Sequence, residues 1–288
     1  MFKLAVFTDE ISHDLERACA ICREFGVEGV ELRGVWRRLP HEWTRNQVRD
    51  IRAMLSDQGL AVCSIASPFG KCDVSDKRDV AKHMDILRAS ARVARELNCT
   101  IVRGFAFWRR TESKPWDEML RAYAQVPGIL EDEDVMLGLE NEYQCYVGTA
   151  AHARYFLDRL QSPHVKIIWD PTNHVQDPDG AAMRPFPEGY RLIRKDMVHV
   201  HVKDAAPGPG GTFPNVFLGT GVVDWGKQLQ ALKDDGYDGY LSLETHITAD
   251  QFPESMRSLY GRYLTDDPHE GASKVCLAWL RRTTASLR

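Results

Sequence analysis

Eight short runs of β-branched and aromatic residues recur along this chain, each followed by a stretch with helical spacing. That alternation limits the fold more than any other feature. The runs cover 3–9, 27–33, 60–66, 100–106, 135–141, 165–170, 197–203 and 239–245. Between them apolar residues return at steps of three and four, most clearly at Met84, Leu87, Ala91, Ala94 and Leu97. The stretches 14–25, 44–58, 116–130, 149–160 and 224–235 read the same way. Thr44 and Thr149 stand where helix N-caps belong, and Gly26, Gly59 and Gly236 where left-handed stops belong. Parallel strands need a crossover between neighbours, so strict alternation demands a parallel sheet, and eight units close into a barrel. The rival, an open doubly wound sheet, carries a Gly-rich turn after its first strand. Here that turn reads Thr8-Asp9-Glu10-Ile11-Ser12-His13, without glycine. The expected fold is α/β, a single (β/α)8 TIM barrel forming one domain over 1–288, which suits a chain of 288 residues.

Two Pro- and Gly-rich connections, 175–190 and 205–221, follow the sixth and seventh strands and emerge on the face where barrel active sites lie. A third irregular stretch, 248–272, precedes a last helix at about 273–285 and offers a cover for the site or a homo-oligomer surface. With 37 Lys plus Arg against 41 Asp plus Glu, the net charge of −4 argues against a nucleic-acid partner. No apolar run is long enough to span a membrane. The seven cysteines are scattered, and the first ten residues turn acidic too soon for a signal peptide, which together point to the cytoplasm.

Chemistry concentrates at the ends of strands five to eight. Strand five places Gly138, Glu140 and Glu142 on one face, and strand six ends at Asp170. Strand seven places His199, His201 and Lys203 together, and strand eight Ser242, Glu244 and His246. Four successive strands thus deliver Glu140, Asp170, His201 and Glu244 to one rim. Three carboxylates in a partly desolvated mouth repel one another unless a cation joins them. An oxygen-rich set with one imidazole suits Mn²⁺ or Mg²⁺, with Co²⁺, Fe²⁺ or Zn²⁺ as further choices. Lys203 is placed either to stabilise a developing oxyanion or to form an ion pair with a neighbouring carboxylate such as Asp204. Glu142, His174 and His246 are candidates for substrate hydroxyls, and His199, one pleat deeper, reads as a satisfied core histidine. On the other half of the rim, Arg103 and Arg33 are candidates for an anionic group. Trp108 and Trp36 could stack on a sugar face.

These segments resemble the xylose isomerase-like barrel superfamily, in its sugar isomerase and epimerase branch. Glu140-Asn141 resembles that family's strand-five end, Asp170-Pro171-Thr172-Asn173 its aspartate motif, and His201-Val202-Lys203-Asp204 its HvKD motif. Gly219-Thr220-Gly221-Val222-Val223-Asp224-Trp225 resembles its glycine turn, and residues 236–244 its terminal motif ending in Glu244. The resemblance covers about 1–247. It implies that Glu140, Asp170, His201 and Glu244 bind one divalent metal and that Glu140 and Glu244 carry protons. Many members have His three residues after the Asp; here Asn173 stands there, able to hydrogen-bond substrate but not to shuttle a proton. The expected activity is isomerisation or epimerisation of a sugar or keto-sugar derivative by proton abstraction beside a carbonyl. A lyase or dehydratase, a deglycosylating enzyme and a non-catalytic sugar-binding barrel are the alternatives. Nucleases of similar architecture use extra histidines, whereas strands three and four here end in Ala66-Ser67-Pro68 and Phe105-Ala106-Phe107.

Overall fold

A computed structural model describes residues 2–287. Eight parallel strands close on themselves: β1 (Lys3–Phe7), β2 (Gly29–Leu32), β3 (Ala61–Ile65), β4 (Ile101–Gly104), β5 (Met136–Glu140), β6 (Val165–Trp169), β7 (Met197–Val202) and β8 (Tyr240–Leu243). Each pairs with its neighbours in chain order, and β8 closes the ring on β1, with Lys3 opposite Tyr240 and Val6 opposite Leu243. The expected barrel is therefore the fold. Bulges lie between Val30 and Glu31 and between Ile167 and Ile168, and each shifts the register of its strand pair.

The helices form where apolar spacing and capping agree. Thr44 accepts a hydrogen bond from the Gln47 N–H at 3.3 Å and Gln47 returns one, a reciprocal cap that starts the helix Arg45–Asp57. Thr149 caps Ala150–Leu160 through the His152 N–H. Gly59 ends its helix with φ +67° and Gly236 with φ +73°. Apolar faces of the helices and outer faces of the strands share one core, including Leu87, Phe156, Trp169 and Trp225, all fully buried. Each such side chain contributes roughly 1.5–3 kcal/mol by leaving water.

Three boundaries differ from expectation. The helix expected over 116–130 is two, Trp116–Tyr123 and Val126–Asp132, because Pro127 lacks an N–H and suits only a first turn. The last helix begins at Pro268, with Asp267 accepting from the His269 and Glu270 N–H groups at 2.9 and 3.2 Å. The connections after β6 and β7 are partly built: the first holds helices Pro171–Gln176 and Tyr190–Ile193. The second holds a two-residue antiparallel ladder joining Asp204–Ala205 to Asn215–Val216.

Within the barrel, Glu31 on β2 and His199 and His201 on β7 are fully buried. Two strands, β1 and β8, separate β2 from β7 around the ring. Hydrogen bonds between these three residues therefore cross the interior, and the barrel's upper layer is polar.

Candidate metal centre

Glu140 closes β5, Asp170 follows β6, His201 is next to last in β7 and Glu244 follows β8. Their oxygen and nitrogen atoms lie within 4.8 Å of one another and all four residues are buried. The barrel thus brings together the four side chains its strand ends were expected to deliver.

Asp170 divides its carboxylate. Oδ1 accepts from the Thr172 and Asn173 N–H groups at 2.9 and 2.8 Å, capping the short helix, which leaves Oδ2 for the site. Asn141 fixes the same residue from β5: its side chain donates to the Asp170 carbonyl at 2.8 Å and accepts the Asp170 N–H at 2.9 Å. Asn173 donates to Glu140 Oε1 at 2.9 Å. Glu140 Oε2 accepts no hydrogen bond among the described residues, its ion pair with Arg103 at 3.3 Å aside. His201 turns Nδ1 toward Glu140 Oε1 at 3.2 Å and Nε2 toward Glu31 Oε2 at 3.2 Å.

Lys203 Nζ lies 2.8 Å from Asp170 Oδ2 and 2.7 Å from Glu244 Oε2, a buried cation between two buried carboxylates. The ion pair with a neighbouring carboxylate thus forms, with Asp170 and Glu244 and not with Asp204. The Asp204 carboxylate accepts the N–H groups of Ala205, Gly219 and Gly221 at 3.0 Å and of Val223 at 3.2 Å. The glycine turn clings so closely that a Cβ on Gly221 would fall 2.1 Å from Asp204 Oδ1. Asp204 therefore shapes the loop after β7.

The charges are tightly balanced. Burial works against the Glu140 carboxylate, but His201 and Arg103 outweigh it and hold it at about 2. Glu244 is also held well below the usual range against burial, chiefly by Lys203 and His246. Burial pushes Asp170 up to about 6 against the pull of Lys203, and its two carboxylate neighbours add to the rise. One of three clustered carboxyls thus resists ionisation, the strain that a divalent cation relieves. With an unsatisfied Glu140 oxygen, a divided Asp170 and an imidazole fixed from behind, the donor set fits a hard or borderline divalent ion.

The other expected site residues separate into groups. His246 reaches Glu244 Oε1 at 3.1 Å, and its side chain is one-third exposed. Arg33 lies 3.6 Å from the same oxygen while bonding Asp9 at 2.8 Å and Glu10 at 2.9 Å. Arg103 stands beside Glu140 with its guanidinium 4.9 Å from the Phe105 ring centre. Glu142 is tied to Lys71 at 2.9 Å, and Lys71 Nζ in turn lies 5.3 Å from the Trp108 ring centre. His174 is not brought to the cluster. Its Nδ1 accepts the Ala150 N–H at 3.2 Å and its Nε2 faces the Met183 carbonyl at 2.8 Å. His199 is fully buried and its Nε2 meets Glu31 at 2.9 Å, but its Nδ1 has no hydrogen-bond partner among the described residues, so the core histidine expected there is only half satisfied.

Glu31 is not among the site residues expected from the sequence. The structure makes it the acceptor behind both histidines, with Ser64 donating to it at 3.0 Å. His201 and His199 hold it well below the usual carboxylate range despite complete burial. A carboxylate behind a ligating imidazole fixes ring orientation and raises ligand basicity. Lys71 was also missed, since it lies in a loop without a distinctive motif.

Solved structures of the same architecture share this barrel. An L-ribulose 3-epimerase superposes with a TM-score of 0.74 at 21% identity, covering 99% of this chain and 95% of that one. A probable 3-DHS dehydratase from Bacillus anthracis gives 0.69 at 19% identity, over 87% and 95%. A xylose isomerase-like TIM barrel protein from Mycobacterium smegmatis, in complex with magnesium, gives 0.64 at 17% identity, over 93% and 89%. At these identities the likeness establishes the fold. No curated protein sequence matches this chain significantly. The sequence profile described as xylose isomerase-like TIM barrel matches residues 19–262, a span that runs from the helix Leu15–Glu24 past all four clustered side chains. The chain belongs to the xylose isomerase-like TIM barrel family.

Proposed function

We propose that this protein is a divalent-metal-dependent isomerase or epimerase of a sugar or keto-sugar derivative, with Glu140, Asp170, His201 and Glu244 as metal ligands. The observation that carries this reading is the meeting of those four buried side chains within 4.8 Å. Bound there, the cation would act as a Lewis acid that acidifies the carbon beside a substrate carbonyl. Mn²⁺ or Mg²⁺ is the ion of choice for such a set.

The chain's own residues do the rest. Glu140 removes or returns a proton at that carbon, with Arg103 and Asn173 orienting its carboxylate. Glu244 performs the complementary transfer, oriented by Lys203 and His246. Lys203 also supplies positive charge to a developing oxyanion, and Asn173, whose Oδ1 lacks a hydrogen-bond partner, orients a hydroxyl. A dehydratase would share the first proton abstraction and then expel hydroxide; the dehydratase of the same fold favours keeping this second reading. Seven free, buried cysteines fit a reducing compartment, and we assign the cytoplasm on that ground.

The test is deuterium wash-in from heavy water into keto sugars by Mn²⁺-loaded protein, with product analysis for loss of water. Glu140→Gln and Glu244→Gln should each lower exchange by about a hundredfold or more. Exchange at the unaltered rate in both variants would refute the assignment.

A further inference from the structure

One large cavity of the structure is not walled by the clustered carboxylates. It occupies about 1050 Å³ between the long connections after β6 and β7. A drug-sized ligand needs roughly 300–1,000 Å³. Its wall carries Tyr143, Met183, Pro185, Phe213, Pro214 and Val222. Val222 is 44% exposed, among the more exposed large apolar residues of the protein. Apolar surface held open in a concave site marks a place for an apolar partner.

Several polar groups of this wall are already engaged. Gln176 donates to the Phe213 carbonyl at 2.8 Å and to Asn215 Oδ1 at 3.2 Å, tying the two connections together. Asp177 pairs with Arg109, and Arg184 pairs with Glu188. The single cation on the wall, Arg184, is thus shared with Glu188, so the wall offers a phosphate no dedicated pair of cations.

The cavity is walled by segments that follow the strand ends of the cluster. Gln176 ends the short helix that Asp170 caps, about 9 Å along its axis at 1.5 Å per residue. Tyr143 lies three residues beyond Glu140. Tyr143 and Gln176 also line a neighbouring cavity of about 550 Å³ that includes Trp108. Shared lining thus leads from this cavity to Trp108 on the rim, and the occupant it suits is the far end of a substrate held at the strand ends.

We propose that the cavity between these two connections is a subsite for an apolar aglycone, so that the substrate is a glycoside bearing a bulky apolar group and not a free or phosphorylated sugar. This inference rests on the sugar-derivative reading of the metal centre. It assigns the connections after β6 and β7 the choice of substrate, while the strand ends keep the chemistry.

Binding separates the two claims. Calorimetry would compare para-nitrophenyl glycosides with the matching methyl glycosides on Mn²⁺-loaded protein. Transferring an aryl group into this wall should give the aryl member about tenfold or tighter binding. Ala181→Trp, which fills the cavity from an exposed position, should erase that preference, and Val222→Asp should do so by charging the wall. Both variants should bind methyl glycosides and Mn²⁺ as the unaltered protein does. Equal binding of aryl and methyl members, absence of aryl binding, or an aryl preference that survives both substitutions overturns the subsite. Failure of deuterium exchange on every keto sugar would instead refute the isomerase reading, and the aryl preference would still be measurable.

Discussion

Glu31 Oε2 lies 3.2 Å from His201 Nε2, across the interior of the barrel, and so leaves His201 Nδ1 as the nitrogen that faces Glu140. A residue on β2 thereby fixes the orientation of a residue on β7. Glu31→Gln should keep the barrel folded but weaken Mn²⁺ binding by about 10–100-fold. Titration followed by electron paramagnetic resonance checks this, and unaltered affinity would show that the contact does no positioning.

Asp204 carries a different load. Four backbone N–H groups from the loop after β7 converge on its carboxylate. Asp204→Ala leaves them without an acceptor and should cost on the order of 3 kcal/mol of unfolding free energy. Denaturant unfolding would read the loss. Because the residue faces away from the clustered carboxylates, folded Asp204→Ala protein should retain most of its Mn²⁺ affinity.

The helix Ala150–Leu160, between β5 and β6, predicts a pH response away from the metal centre. Burial, helped by Lys114 and Arg109, pushes the His152 imidazole down to about 4. The ring is therefore neutral when folded, while an unfolded histidine takes a proton near 6.5. Its contribution to stability is full above 6.5 and is lost as pH falls through about 4. His152→Gln should flatten the dependence of unfolding free energy on pH across that window. Unfolding curves that keep the same slope in the variant would contradict the assignment.

Much of this architecture is legible in the chain. Period-two runs with ionisable ends located Glu140, Asp170, His201 and Glu244 because a parallel barrel puts all its strand ends on one rim. Cross-barrel contacts were not legible, since alternation gives the face of a residue but not its partner across the interior. Glu31 follows a bulge on β2, and its two histidine partners are 168 and 170 positions away in the chain. His174 failed for another reason. Reading on from strand six placed it at the mouth, but Asp170 caps a helix whose first residue is Pro171, and the turn carries His174 to the Ala150 N–H. An Asp followed by Pro, a helix-start signal, was available there and was read as a strand end.

The central claim is a single divalent cation held by the four clustered side chains. Mn²⁺ titration of chelator-treated protein, with bound metal counted per chain, tests it directly. The account predicts one tight site in the unaltered protein, lost in Asp170→Asn, which keeps the helix cap, and in His201→Ala. Absence of a tight site, or a site that persists in both variants, would contradict it.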